Sequence, residues 1–256
     1  MWQRAKVAVV VPAFMEERLI ARMLRRIPAW VDAVYVVDDA STDSTPEVVR
    51  GVRDARIHLI SHRTNRGVGA AIVSGYRQAL VEHAEVLVVM AGDDQMDPND
   101  LPALVAPVVG GSADYAKGNR FRHANARDMP WARSVAGRLL SLLTRAATRL
   151  PVGDSQCGYT ALSARAARRL PLQRLWPRFG YPNDLLAMLA EQSLKVLDVP
   201  VRPVYADETS RVRAWHVLSI GALILHRYWR SRRAAAWREL PAHQSRQEAE
   251  LPPRAP

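Results

Sequence analysis

The sequence of 256 residues lacks several features that would assign its class early. Cys157 is its one cysteine, which excludes an internal disulfide framework and suits a reducing compartment. No uncharged apolar run reaches the roughly 18–20 residues that a membrane-spanning helix needs. The longest candidate, 215–229, is too short and contains two histidines and an arginine. Because the chain enters the strand-like segment 6–14 directly, we expect no cleavable signal peptide.

The glycine fingerprint Gly-x-Gly-x-x-Gly is also missing where the first strand-like segment ends, in the stretch VVVPAFMEE. Its absence disfavours a dinucleotide-binding fold of the hydride-transfer kind. A proline-kinked loop followed by an acid suits a nucleoside instead. Glu16 is equally well explained as a first-turn acid that favours a helix dipole.

Acidic residues are scarce in two basic segments. Residues 117–149 hold eight Lys or Arg and one acid, and residues 211–238 hold seven and none, in a chain of net charge +11. This charge calls for an anionic partner, such as nucleic acid, an anionic membrane or a phosphorylated substrate. Both segments contain an amphipathic stretch with tryptophan on the apolar side, at 131–150 and 214–237, which favours an anionic membrane surface over nucleic acid. The alternative for 131–150 is a helix packed on the core with its arginines in solvent.

Apolar runs alternate with helical periodicity in the first half of the chain. This β-α-β-α order predicts an α/β fold with parallel strands and right-handed crossovers. Ligands in such folds bind at the carboxyl ends of the strands. The predicted strands are 7–14, 33–37, 57–61 and 85–90, and the predicted helices include 16–30, 68–83 and 97–109.

Carboxylates follow two of these strands, at Asp38 and Asp39 and again at Asp93 and Asp94. A hard cation such as Mg²⁺ takes one or two carboxylates together with substrate phosphates. The two acidic strand ends therefore predict a nucleotide and metal site, with Gly92-Asp93-Asp94-Gln95 as the strongest local signal. The alternative is a pair of surface turns.

Two further motifs suit phosphate. Asn65-Arg66-Gly67-Val68-Gly69 opens a predicted helix, whose N-terminus favours an anion, although a simple turn explains the glycines as well. Arg120 ends the motif Lys117-Gly118-Asn119-Arg120, which follows a strand-like stretch, and it suits bidentate contact with a phosphate, or solvent exposure.

Taken in order, these segments resemble the family-two glycosyltransferases with a GT-A fold, in the branch similar to dolichyl-phosphate mannose synthase. That resemblance implies a Rossmann-like, mostly parallel sheet with helices on both faces. Members of this branch transfer a sugar from a nucleotide donor to a polyprenyl phosphate, with inversion. The matching segments cover about residues 6–215 and read VVVPAFMEE, VVDDASTDST, NRGVGAA, VMAGDDQMDP, ADYAKGNRF, DSQCGYTALS, GYPNDLLAMLA and DVPVRPVY.

The resemblance also implies residue roles. Asp93 and Gln95 are expected at Mg²⁺ or Mn²⁺ and the donor diphosphate. Where the family usually has Asp-x-Asp, this chain reads Ala91-Gly92-Asp93, so one metal ligand is missing unless Asp94 replaces it. For nucleotide-sugar binding the resemblance implies Pro12, Ala13, Glu16 and Asp39, and the local motifs add Asp38, Asn65, Gly69 and Asp94 as candidates. The candidates for the acceptor phosphate are Arg120, Arg133, Arg211 and Arg213.

The expected reaction is a direct displacement in which Asp93 and Arg120 are catalytic. A phosphate monoester is largely a dianion at neutral pH, because its second pKa is about 6, and it needs no strong base. A sugar hydroxyl acceptor would need one, with Asp184 or Asp154 as first choices. Asp184 is otherwise a helix first-turn residue. A non-catalytic lipid- or nucleotide-binding relative and a nucleotidyltransferase remain alternatives.

For the domain organisation, we expect a glycosyltransferase domain over 1–213, an interfacial amphipathic helix over 214–238 and a disordered tail over 239–256. The expected partners are a nucleotide sugar, a polyprenyl phosphate and an anionic membrane surface, with no nucleic acid. The expected location is cytoplasmic, at the inner face of the membrane.

Overall fold

The computed structural model describes residues 1–204 and 220–225. The strands in this part of the chain are β1 (Val7–Ala13), β2 (Ala33–Asp38), β3 (Ile57–Ser61), β4 (Val86–Val89), β5 (Tyr115–Asn119), β6 (Thr160–Ser163) and β7 (Val196–Pro200). They form one sheet in the order β3-β2-β1-β4-β6-β5-β7.

The helices lie between these strands, and residues 220–225 are also helical. They are α1 (Ile20–Arg26), α2 (Thr45–Arg50), α3 (Val68–Val81), α4 (Leu101–Val109), α5 (Trp131–Thr148), α6 (Ala164–Arg169) and α7 (Tyr181–Glu191). The first helix begins later than the predicted residue 16. Met15 has a positive φ of 59°, and the Glu16 carbonyl accepts from the Leu19 and Ile20 amides in a turn that precedes the helix.

The sheet confirms the predicted α/β class. Strands β1, β2, β3 and β4 are parallel, and β5 is parallel to β7. Strand β6 runs antiparallel to both β4 and β5, which the sequence pattern did not reveal. Since Val89 at the end of β4 pairs with Thr160 at the start of β6, the residues just before β6 lie at the edge where β4 ends.

Both faces of the sheet are covered. Ala8 and Val10 of β1 pack with α3 and α7, while Val7, Val9 and Val11 pack with α1 and α4. All seven residues of β1 are buried, which explains why the strand reads as a continuous apolar run.

Helix α5 is oriented unusually for an amphipathic helix. Its buried residues are mostly small or polar, namely Gly137, Leu140, Ser141 and Thr144. Four large apolar side chains, which we call the outer stripe, are exposed: Trp131 (80%), Val135 (58%), Leu139 (54%) and Leu142 (61%). Helix α5 therefore packs on the core through its small and polar residues, as the alternative of a packed helix with arginines in solvent allows, but these four apolar side chains take no part in that packing.

Residues 220–225 cover part of α5, because Ile220 and Ile224 pack against Leu140. They are the described portion of the helix predicted over 214–238; the domain boundary at 213 and the predicted tail lie outside the described residues. Among the helices of the described part, none is both long and apolar enough to cross a membrane.

The packing of α3 on β1 depends on Gly75. A Cβ at Gly75 would lie 2.3 Å from Val10 Cγ1, inside a buried strand. We expect Gly75→Ala to lower the free energy of unfolding by about 1–3 kcal/mol, measured by urea denaturation. Gly51→Ala is the control, since its Cβ would meet nothing closer than 3.4 Å and its φ is −73°. The control should be neutral or stabilising by about 0.4–1 kcal/mol, and equal stability of the two variants would contradict this packing.

Candidate functional site

The loops after β1, β2 and β4 meet at one edge of the sheet. Ala13 pairs with Asp38, and the Asp39 amide donates to the Ala13 carbonyl at 2.9 Å. On the other side, the Gly92 amide donates to the Pro12 carbonyl at 3.2 Å. A Cβ at Gly92 would lie 3.5 Å from Ala13 Cβ and 3.6 Å from Glu16 Cγ. The predicted nucleoside residues and the acidic loop after β4 are thus neighbours.

Three of the predicted residues, Asp93, Gln95 and Arg120, line one cavity at this edge, which we call the cleft. Within it, the backbone amide of Gln95 donates to Asp93 Oδ1 at 3.1 Å. The remaining walls come from the loop after β4, the loop before β6 and the chain after β7, namely Met96, Cys157, Gly158, Tyr159, Val201, Arg202 and Val204.

Arg120 is held against the cleft by a buried carboxylate. Its Nε and Nη2 donate to the two oxygens of Asp154 at 2.7 and 3.1 Å. Burial opposes ionisation of Asp154, but Arg120 and Lys117 outweigh it, so the pKa of Asp154 lies below its ordinary value. An acid so paired is a poor general base, which removes support from the role considered for Asp154.

The donor set at Asp93 and Gln95 suits a divalent cation shared with a substrate. The described residues contain no group of three or more His, Cys, Asp or Glu that would hold a metal alone. One carboxylate oxygen and one amide oxygen fit an ion whose remaining ligands are diphosphate oxygens and water. The residues present therefore fit Mg²⁺ or Mn²⁺ when a diphosphate-bearing substrate supplies the remaining ligands.

The side chain of Asp94 contacts α1 and not the pair formed by Asp93 and Gln95. Its φ is +56°, and its two oxygens accept from Arg22 Nε at 2.6 Å and from Arg26 Nη1 at 2.9 Å. Asp94 is buried in these ion pairs with α1. These contacts count against Asp94 as the replacement metal ligand and as a residue that binds the nucleotide sugar.

The carboxylates after β2 are also engaged locally. Asp39 lies 2.7 Å from His62 Nδ1 and accepts from the Arg66 and Gly67 amides at 2.9 and 2.6 Å. Asp38 accepts from the Ser41 amide at 3.3 Å. Asp39 therefore holds the loop that leads into α3, and a nucleoside contact by either acid remains a prediction.

The start of α3 is occupied by protein. The Gly69 and Ala70 amides donate to the Pro177 carbonyl at 2.8 and 3.3 Å. A Cβ at Gly69 would lie 2.2 Å from the Trp176 carbonyl oxygen, so close chain packing requires the glycine. These contacts count against a phosphate at Gly69. Asn65 is exposed in the preceding loop.

Asp184 lies buried in the first turn of α7, where its Oδ2 accepts from the Trp176 amide at 2.8 Å. This contact supports the first-turn interpretation, and its role as a base stays a prediction. Arg133 is half-buried in the first turn of α5. Arg211 and Arg213 lie outside the described residues.

Sequence reasoning gave no role to Arg202 or Lys117. Arg202 lines the cleft just after β7, so the rule that ligands meet strand carboxyl ends would have found it once β7 was recognised. Lys117 is buried in β5 and donates to the Cys157 carbonyl, and burial lowers its pKa. No local pattern distinguishes such a lysine from a solvated one.

Comparison with known proteins assigns the family. Residues 8–171 match the family described as glycosyl transferase family 2. The chain is 26% identical to a UDP-N-acetylglucosamine–dolichyl-phosphate N-acetylglucosaminyltransferase of Methanococcus voltae, over 86% of this chain and 93% of that protein. It is 29% identical to an undecaprenyl-phosphate mannosyltransferase of Micrococcus luteus, over 77% and 82%.

Among solved structures, the fold is similar to glucosyl-3-phosphoglycerate synthase of Mycobacterium tuberculosis in complex with Mn²⁺ and UDP-glucose. The TM-score is 0.67 at 22% identity, over 88% of this chain and 79% of that chain. The likeness and the mixed seven-stranded sheet confirm the predicted GT-A fold. With most of the sheet and the cleft's acidic loop inside the matched residues, the chain belongs to glycosyl transferase family 2.

Proposed function

We propose that this glycosyltransferase moves a sugar from a nucleotide donor to a polyprenyl phosphate, with inversion at the anomeric carbon. The observation that carries the proposal is the cleft, where Asp93 and Gln95 face the same cavity as Arg120. An acidic donor side and a basic acceptor side are what a transfer between two phosphate-bearing substrates requires. The named activities of the Methanococcus and Micrococcus relatives support this acceptor class.

On the donor side, Asp93 and Gln95 would hold Mg²⁺ or Mn²⁺ at the diphosphate. When bound, the cation stabilises negative charge on the departing nucleoside diphosphate. Pro12, Ala13 and Glu16 lie beside the acidic loop, which supports their proposed contact with the nucleoside. Structures similar in fold bind Mn²⁺ with a uridine nucleotide, which supports the same type of donor here.

On the acceptor side, Arg120 and Arg202 offer positive charge to a phosphate dianion. Such a nucleophile is already deprotonated at neutral pH and needs orientation rather than a base. Asp154 is paired with Arg120, and Asp184 accepts from the Trp176 amide. Engagement of both candidate bases favours the phosphate acceptor over a sugar hydroxyl.

A lipid acceptor requires the enzyme to reach a membrane, and the outer stripe of α5 suits that task. Its apolar side chains are exposed on the same helix as Arg138 and Arg145, which are also exposed, as is Arg149 directly after the helix. Trp and Leu next to Arg are typical of helices that lie in an anionic interface. We therefore propose peripheral docking on an anionic surface, at the inner face of the membrane.

The proposed docking surface extends past α5. A Cβ at Gly180 would lie 3.3 Å from Ile220 Cγ1, which places the loop before α7 beside residues 220–225. Trp176 and Phe179 of that loop are exposed, as is Leu225. We propose that the helix predicted over 214–238 continues this surface.

Acceptor class is tested by incubating the chain with Mn²⁺ or Mg²⁺, a panel of UDP- and GDP-sugars, and either undecaprenyl phosphate or 3-phosphoglycerate. We expect glycolipid formation and nucleoside diphosphate release with the polyprenyl phosphate. Transfer to 3-phosphoglycerate alone would contradict the acceptor, and pyrophosphate release would indicate a nucleotidyltransferase.

Asp93→Asn is expected to lower transfer on the order of 100-fold or more, because the change removes the negative charge that holds the donor's cation. The variant should keep the wild-type circular dichroism spectrum. Asp128→Asn, at an exposed acid outside the cleft, serves as the control and should transfer normally. Wild-type turnover by Asp93→Asn would remove this residue from the mechanism.

Leu139→Ser with Leu142→Ser is expected to weaken binding to vesicles of phosphatidylcholine and phosphatidylglycerol by at least about tenfold. Burying one leucine is worth up to about 1.5–3 kcal/mol, and each 1.4 kcal/mol is about tenfold in affinity. Co-sedimentation measures the binding. Val81→Ser, at an exposed apolar residue on α3, is the matched control. Equal binding by the double variant and the control would refute docking through α5.

A further inference from the structure

Arg120 is joined to Asp154 by three hydrogen bonds. Asp154 is fully buried and accepts from the Arg120 Nε, Nη2 and backbone amide at 2.7, 3.1 and 3.2 Å. Three donors from one residue to one carboxylate fix the guanidinium plane as well as the chain that carries it.

Asp154 is itself fixed by its own loop. Its Oδ1 accepts from the backbone amides of Gln156 and Cys157, both at 3.2 Å. The next residue ties the loop to α5, since the Ser155 amide donates to Ser141 Oγ at 2.9 Å. Ser141 Oγ in turn donates to the Gly137 carbonyl at 2.7 Å. The buried face of α5 therefore holds in place the loop that carries Asp154, the hydrogen-bond partner of Arg120.

The charges around Asp154 favour a permanent pair. Lys117 is buried nearby and contributes, with Arg120, to the lowered pKa of Asp154. Asp198 pairs with Lys117 in the β5–β7 register, but burial raises the pKa of Asp198, whose Oδ1 is buried without a hydrogen-bond partner in the described part of the chain. Arg120 and Lys117 thus favour the ionised form of Asp154, which accepts the three hydrogen bonds from Arg120.

We infer that Asp154 is a positioning residue, which holds Arg120 at the cleft wall in one orientation so that an incoming phosphate meets a preformed cation. A cation fixed in advance needs no reorganisation when charge arrives. The identity of the phosphate rests on the proposed function, whereas the orientation of Arg120 does not.

The orientation is tested by NMR of the full chain labelled with ¹⁵N-arginine, with Arg120→Lys used to assign the Arg120 Nε–H signal. We expect this proton to exchange slowly with water in the wild type and at least about tenfold faster in Asp154→Asn. Asp54→Asn is the matched control, because Asp54 forms a similar pair with Arg56 away from the cleft. Unchanged exchange in folded Asp154→Asn would overturn the inference.

The role in binding is tested by calorimetry with farnesyl phosphate. We expect Asp154→Asn to weaken binding about tenfold, and Arg120→Gln with Asp154→Asn to bind no more weakly than Arg120→Gln alone, since Asp154 acts through Arg120. Asp54→Asn should bind as the wild type does. Losses that multiply in the double variant would overturn the inference. If the wild type fails to bind while the exchange result holds, the proposed acceptor is wrong and the positioning role stands.

Discussion

The antiparallel direction of β6 is the constraint on which the cleft depends. Because β6 runs against β4, its first residue lies beside the last residue of β4. The loop from Asp154 to Tyr159 therefore reaches the edge where the parallel strands deliver Pro12, Asp39 and Asp93. A parallel β6 would carry that loop to the opposite edge. The reversed strand thus brings Asp154 to the edge that Arg120 reaches directly after β5, and Asp154 pairs there with Arg120, which lines the cavity.

The amino-acid pattern was sufficient to predict much of the sheet and many of the residues that follow its strands. Buried parallel strands read as continuous apolar runs, so β1, β2 and β4 were located to within a residue or two. The edge strand β3 is only partly buried, yet its bounds were predicted without error. The direction of β6 was not readable, since four residues with a mixed pattern pair equally well either way. Asp93 and Asp94 are chemically identical neighbours, yet Asp93 lines the cleft while Asp94, at a positive φ, pairs with arginines of α1.

Contacts distant in sequence limited the site prediction most. The partner of Arg120 lies 34 residues away, and nothing near either residue signals the pair. The glycines at the start of α3 suggested an anion site, yet the chain at Trp176 and Pro177 explains them as packing. In α5 the periodicity identified an amphipathic helix, but the packing of Gly137, Ser141 and Thr144 decided which face is buried.

The exposed stripe on α5 has a consequence for the protein away from lipid. In buffer the stripe stays in contact with water, and the same hydrophobic free energy then favours contact between copies of the chain. The opposing force is repulsion between molecules of net charge +11, which dissolved salt screens. Colloidal stability of the purified enzyme should therefore fall as ionic strength rises, and detergent micelles should restore it by covering the tryptophan and leucines.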